Sequence, residues 1–266
     1  MNTLLNNKFL VIFLAPFLLG GITILSFPPY NITFINFFTF SILLFLILLI
    51  KKRTQPKYRK KKSTRYFFYL GCAFGFGFFL FGNYWITISL THDEVFKGLI
   101  PLALILIPLF LSLFFGLAVL LIGGFAEKNI AFIFLFSLVF SIFEFIRGTI
   151  FTGFPWNLIS YTWSWSIETI QVLSIIGTYS LSLISITFFS IPFLFFQKKI
   201  FKKNIFFLLF FIIIFVINYS YGIIKLNKAN YNLDKKLNVT IVSPNFSLKD
   251  YNTKSEELQL KRLIKI

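Results

Sequence analysis

Cysteine occurs once in these 266 residues, at Cys72, and histidine once, at His92. A single cysteine excludes an internal disulfide and a Cys-x-x-Cys metal site, and a single histidine excludes a histidine-rich metal centre. Neither a metal nor a cofactor is expected. Charge is scarce as well: charged residues make up 13% of the chain, against about 25% in an ordinary soluble domain. Only nine residues are acidic, beside 26 Lys and Arg. The net charge of +17 does not describe a nucleic-acid surface, because the basic residues fall in gaps between apolar runs and form no continuous face. No nucleic-acid partner is expected. What fills the chain is hydrophobic: 57% of the residues are of this kind and the mean hydropathy is +0.82, which marks a membrane protein. Phe alone accounts for 41 positions. Since Phe, Ile, Lys and Asn share A/T-rich codons, that excess by itself argues for no ligand.

A membrane helix needs about 20 mostly apolar residues. Seven runs approach this length: Phe9 to Phe27, Ile32 to Ile50, Tyr66 to Leu90, Gly98 to Ile122, Ile130 to Ile146, Ile170 to Phe196 and Ile205 to Ile224. The first has no small-x-small cleavage site and leads straight into a second run, so it reads as a span and not as a cleaved signal. Residues 51–65 hold nine Lys or Arg and residues 197–203 hold four. The positive-inside rule assigns both to the cytoplasm, and the four spans between them agree in parity. The segments on the other side, THDEVFK and FTGFPW, are nearly free of basic residues, and seven spans then leave the chain after residue 224 outside. There the composition changes. LNVTIVS, residues 237–243, reads as a strand, and residues 255–266 space Leu258, Leu260, Leu263 and Ile264 as an amphipathic helix. The fold class is thus a mainly α, polytopic membrane helix bundle of about seven transmembrane helices over residues 1–224, followed over residues 225–266 by the start of an α/β domain too short to bury its own core.

Charge and turn chemistry coincide in FEFIRGTIFTGFPWN, residues 143–157. Glu144 and Arg147 stand three apart, share a helix face and can pair. Ionisable groups at such a depth face a bundle interior or a cavity, which leaves two readings open: an ion pair that fixes the end of the fifth span, and a wall of a lipid-headgroup pocket. Gly153 permits unusual backbone angles, Pro155 fixes its own φ and restricts Phe154, and Trp156 suits the headgroup level. Trp163 and Trp165 repeat the interfacial signal. Gly71 and Gly75 have the small-xxx-small spacing that lets a neighbouring helix approach, and Gly177, Tyr179 and Ser182 run along the sixth span. Cys72 has apolar neighbours and no base to lower its pKa, so it reads as inert. His92, with Asp93 and Glu94, belongs to a solvated loop.

SFPPY at 26–30, GFGFFLFGNYWITIS at 75–89, FEFIRGTIFTGFPWNLISY at 143–161, IGTYSLSL at 176–183 and LNVTIVSPNFSLK at 237–249, taken in order, resemble the bacterial apolipoprotein N-acyltransferase family. The Glu-x-x-Arg-Gly segment running into Gly-Phe-Pro-Trp is the most specific of these, and the resemblance covers essentially the whole chain. It implies a multi-pass protein of the bacterial inner membrane whose C-terminal segment begins a periplasmic nitrilase-like domain. It also implies the partners: a phospholipid acyl donor and a diacylated lipoprotein acceptor, with the acyl chain passing through a cysteine thioester. The implied membrane motif comprises Glu144, Arg147, Gly153, Phe154, Pro155, Trp156 and Tyr161.

The family's catalytic Glu, Lys and Cys are implied to lie beyond Ile266, so that no catalytic residue is assigned here and this chain alone is expected to be inactive. Cys72 is in the wrong domain for the nucleophile, Glu256 and Glu257 belong to the first helix of the α/β domain, and Asp250 stands where an aromatic is expected. The alternative reading is a non-catalytic membrane protein that keeps the bundle for lipid or partner binding. A transporter is disfavoured, because the spans lack a central cluster of ionisable residues.

Overall fold

The computed structural model describes residues 7–54, 60–196 and 202–228, together with 260, 261 and 264. The expected strand at 237–243, most of the expected helix at 255–266 and the middle of both basic loops lie outside the described residues. Within them the chain is helical and has no strand. Seven principal helices succeed one another: α1 (Leu10–Ser26), α2 (Ile35–Thr54), α3 (Lys60–Asn83), α4 (Ile100–Gly123), α5 (Ile130–Thr149), α6 (Thr178–Ser190) and α7 (Lys202–Lys228). Six of them, α6 with its 3-10 continuation to Phe195, are long and apolar enough to cross a membrane, and α1 is shorter. The expectation of seven full-length spans is corrected to that extent. α1 stops early because Phe27 precedes Pro28 and takes extended backbone, with ψ of 163°, as a residue before proline does.

Two further expectations give way. The run from Ile170 to Phe196 is not one helix. It begins with two single-turn helices, Ile167–Ile170 and Leu173–Ile176, and Gly177, at φ 77° and ψ 169°, interrupts the helix before α6 starts. That backbone region is open to glycine alone, so Gly177 is the cap of the sixth helix and no part of its length. The run from Tyr66 to Leu90 likewise leaves α-helix after Asn83 and continues as 3-10 turns, Tyr84–His92 and Glu94–Leu99.

Lipid tails are as apolar as the side chains, so the helices associate through packing and small residues. Phenylalanines form the centre. Phe40 of α2, Phe74 of α3, Phe115 of α4, Phe136 and Phe140 of α5 and Phe189 are almost fully buried, with centroids 4.7 Å apart for Phe115–Phe140 and 6.2 Å for both Phe40–Phe136 and Phe40–Phe189. Glycines let α3 meet two neighbours. Gly71 and Gly75 face α4, a Cβ on Gly75 falling 2.9 Å from Ser112 Cα, as their spacing predicts. On its other flank α3 meets α1 reciprocally: a Cβ on Gly20 would overlap the Phe74 carbonyl oxygen, and one on Gly77 the Phe17 carbonyl oxygen. α7 is peripheral, with 17% of its apolar window buried. It docks along one face, where Phe207 meets Phe134, Phe211 and Phe215 meet Phe188, and Phe215 meets Trp163, and further along where Gly222 lies against the Glu168 backbone and Asn218 Nδ2 donates to Thr169 O at 3.0 Å.

The bundle has two unlike ends. Lys8, the Lys51–Arg53 run that closes α2, Arg65 and Lys128 gather at one, where Lys128 Nζ donates to Phe196 O. At the other lie the turn after α1, the 3-10 segments and residues 150–177, tied together by Asn157 Nδ2 donating to Asn83 Oδ1 and Trp165 Nε1 donating to Thr33 Oγ1.

Candidate functional site

The end of α5 builds the site. Asn129 caps the helix start by accepting from Phe132 N–H at 2.8 Å, and the helix then carries Ser137, Ser141, Glu144 and Arg147 toward the interior. Glu144 is 0% and Arg147 2% exposed. After Thr149 the chain turns back sharply. Phe151 and Gly153 take positive φ, 57° and 75°, and a Cβ on Gly153 would stand 2.6 Å from the Gly148 carbonyl oxygen. The turn is closed by Gly153 N–H donating to Ile150 O and Phe154 N–H donating to Arg147 O, each at 2.9 Å. Pro155 follows, packed near Gly148, and Asn157, at φ 53°, directs the chain back into the bundle as the buried 3-10 turn Ile159–Trp163.

Such re-entrant backbone is tolerated at membrane depth only where protein satisfies its polar groups. Glu144 and Arg147 supply much of that satisfaction. Arg147 Nη1 donates to the carbonyl oxygens of Phe154 at 2.7 Å and Trp156 at 2.8 Å. Glu144 Oε1 accepts from Ile159 N–H at 2.9 Å. The sequence expectation of a shared helix face holds, but the direct ion pair does not form: among the described residues the close ion pair is Lys97–Glu94, in the 3-10 segment after His92. The physical reason is competition. Three backbone groups of a buried turn engage Arg147 Nη1 and Glu144 Oε1 in charge-assisted bonds, while Arg147 Nε and Nη2 and Glu144 Oε2 are buried without a hydrogen-bond partner and the charges balance through space. The guanidinium also lies over the Phe79 ring at 5.0 Å and the Phe154 ring at 5.9 Å, a cation–π setting that favours a desolvated cation.

Other side chains complete the clamp. Ser160 N–H donates to Ser182 Oγ at 3.0 Å, Trp163 Nε1 to Ser185 Oγ at 2.8 Å, and Thr33 Oγ1 to Thr162 O at 2.7 Å. Sequence reasoning missed Thr33, Asn83, Asn157, Ser185 and Phe79. The signal of the first four is small polar residues inside or beside apolar runs, at positions that meet only in the fold, whereas Phe79 is one phenylalanine among many and carries none.

The turn stands between two cavities. One, of about 370 Å³, is walled by Leu106, Phe110 and Phe114 of α4 and by Arg147, Gly153 and Phe154. The other, of about 660 Å³, is walled by Pro28, Tyr30, Phe81, Trp85, Trp156 and Asn157, with the rings of Trp85 and Trp156 6.0 Å apart. Trp156 is half exposed, and Glu144 touches neither cavity. Tyr161 borders neither but belongs electrostatically to the group. Burial pushes its phenol pKa above the usual value, Tyr179 and Glu144 add to the rise, and Arg147 opposes it.

Cys72 lies at the middle of α3, roughly 16 Å along the helix axis from Asn83. It faces an apolar cleft whose lining includes no acid, base or histidine. His92 is exposed, and no group of metal-ligating side chains occurs among the described residues.

Residues 19–191, which include both cavities' turn and the Glu144/Arg147 clamp, match the model of the apolipoprotein N-acyltransferase N-terminal domain. An apolipoprotein N-acyltransferase of Brucella melitensis is 34% identical over 67% of this chain and 34% of its own length. One from Rickettsia bellii is 46% identical over 44% of this chain and 23% of its own, and one from Rickettsia prowazekii 39% identical over 64% and 32%. The chain spans about a third of the length of the relatives it matches most extensively. On the match to its residues 19–191, the chain belongs to the apolipoprotein N-acyltransferase family.

Proposed function

We propose that this chain is the lipid-handling membrane part of an apolipoprotein N-acyltransferase, working in the transfer of an acyl chain from a phospholipid to the amine of a diacylated lipoprotein. The observation that carries the reading is the buried Glu144/Arg147 clamp, which holds a Gly-Phe-Pro-Trp turn between two cavities at one end of an apolar bundle. An amphiphile fits such a place: its chain lies along Leu106, Phe110 and Phe114, and its polar portion stands at the turn. With the basic end in the cytoplasm, the turn faces the periplasmic side of the inner membrane, and the chain beyond α7 continues there into a nitrilase-like domain.

Acyl transfer through a thioester needs an activated thiolate near the lipid ester. Cys72 lies in the middle of α3, in an apolar cleft lined by no acid, base or histidine that could activate it, so it is not assigned as that nucleophile, and the family's Glu, Lys and Cys would act from the C-terminal domain. The test gives the purified chain a phospholipid with a photoactivatable acyl chain, then a diacylated lipopeptide. Adducts should concentrate in residues 106–114 and 151–156 and fall about tenfold in Arg147→Met, Cys72 should stay unmodified, and no triacylated product should form. Adducts spread evenly over the apolar outside of α7, or an acyl thioester on Cys72, would overturn the reading.

A further inference from the structure

The opposite end of the bundle carries a cleft that the acyl-transfer reading does not use. Lys8, just before α1, Arg53 and Thr54 at the end of α2, and Tyr66 in α3 converge around a space of about 100 Å³. Its floor is Val11, Ile12 and Ile50, which are 1%, 4% and 3% exposed. The two cations come from separate helices and their heads are exposed, and no acidic residue lines the cleft. Lys51 and Lys52 precede Arg53 directly, so like charges crowd this end. Glu127, an acidic residue in the connection between α4 and α5, accepts a hydrogen bond from Asn129. Beside the cleft, one residue along α1 and one turn along α3, begins an almost wholly apolar groove of about 350 Å³ lined by Phe9, Phe13, Phe17, Tyr69, Phe76 and Leu109 among others.

We propose that this cleft and groove bind one anionic phospholipid. Lys8 and Arg53 take the phosphate, the Tyr66 and Thr54 side chains border the headgroup, and an acyl chain lies in the groove between α1, α3 and α4. Charge complementarity selects the occupant. A cationic cleft with an apolar groove whose lining begins at the next residue of α1 and the next turn of α3 matches an anion carrying a hydrocarbon tail, whereas a soluble anion would use only the cleft and a neutral lipid only the groove. The site is separate from the Glu144/Arg147 turn and does not depend on the acyl-transfer reading.

Any basic membrane surface attracts anionic lipid, so the experiment sets the site against that general effect. Native mass spectrometry of the full chain in neutral detergent, titrated with phosphatidylglycerol and with phosphatidylcholine, should show one tight phosphatidylglycerol and at least tenfold weaker phosphatidylcholine. The double variant Lys8→Gln/Arg53→Gln should weaken the first phosphatidylglycerol about thirtyfold, from the usual contribution of a basic residue at a lipid surface. Lys51→Gln/Lys52→Gln, with the same change in net charge, should weaken it less than threefold. Equal losses in the two variants, or equal affinity for the two lipids, would overturn the proposal. Should the first double variant fail to fold, the unaltered chain decides: phosphatidylglycerol with a diazirine on its acyl chain should label residues 9–17 and 69–76, and labelling absent from both segments would overturn it.

Discussion

Replacing Arg147 by Met keeps an unbranched side chain of similar length on α5 and removes the charge. Two charge-assisted bonds, to Phe154 O and Trp156 O, disappear, each worth about 1.5–3 kcal/mol. Glu144 is left as a buried carboxylate without its compensating cation, and breaking a buried pair from one side costs about 3–5 kcal/mol. The two figures describe the same loss from two directions, so a destabilisation of about 3–5 kcal/mol is expected, a large part of the ~5–15 kcal/mol that holds a domain together. Glu144→Gln preserves shape and an acceptor for Ile159 N–H, yet strands the guanidinium, and it should fall in the same range. The double variant Glu144→Gln/Arg147→Met strands no charge and should lose less than the sum of the singles by about 1–3 kcal/mol, the coupling typical of side chains in one network. Reversible unfolding in mixed detergent micelles, with scan-rate controls for irreversibility, measures all three. Single variants within about 0.5 kcal/mol of the unaltered chain, the range of neutral surface changes, or strict additivity would refute the clamp.

Gly20→Ala and Gly77→Ala should each destabilise by about 1–3 kcal/mol, the range for overpacking, because each Cβ would enter the carbonyl of the facing helix; neutral results in the same unfolding assay would contradict the α1–α3 approach. Gly177→Ala should lose about 1–3 kcal/mol through strain at positive φ, with little effect if the sixth run is in fact a continuous helix. In a Cys72→Ser background, single cysteines at Lys52 and Thr91 should be labelled by an impermeant maleimide from opposite sides of the membrane, Thr91 from the periplasmic side; labelling of both from one side would reject the orientation proposed for the bundle.

The spans could be read from the sequence because apolar length is a direct demand of the bilayer, and the basic runs mark their ends. Where that reading failed, the missing quantity was backbone geometry. Hydropathy cannot see that Gly177 sits at φ 77°, so residues 170–196 look like one segment. Spacing placed Glu144 and Arg147 on one face correctly and also found the Gly71/Gly75 contact with α4. It could not show that the charged pair would turn to the backbone of the following turn, since the competing acceptors and donor, Phe154 O, Trp156 O and Ile159 N–H, reach them only once that turn has folded back. Gly20 and Gly77 escaped notice for a related reason: they belong to different helices and have no spacing in one chain segment. Thr33, Asn83, Ser182 and Ser185 are individually ordinary, and only the packing of α2, α3 and α6 around the re-entrant turn brings them into one clamp.

Hydrogen–deuterium exchange of residues 154–163 in the full chain, compared with Arg147→Met, tests the central claim most directly. The Ile159 and Ser160 amides are held by the buried side chains of Glu144 and Ser182, and Arg147 holds the carbonyls before them, so the account predicts strong protection in the unaltered chain and exchange roughly a hundredfold or more faster in the variant, the equivalent of about 3 kcal/mol of lost local stability. A turn that exchanges as freely as an exposed loop before any substitution, or one whose protection is unchanged without Arg147, would contradict it.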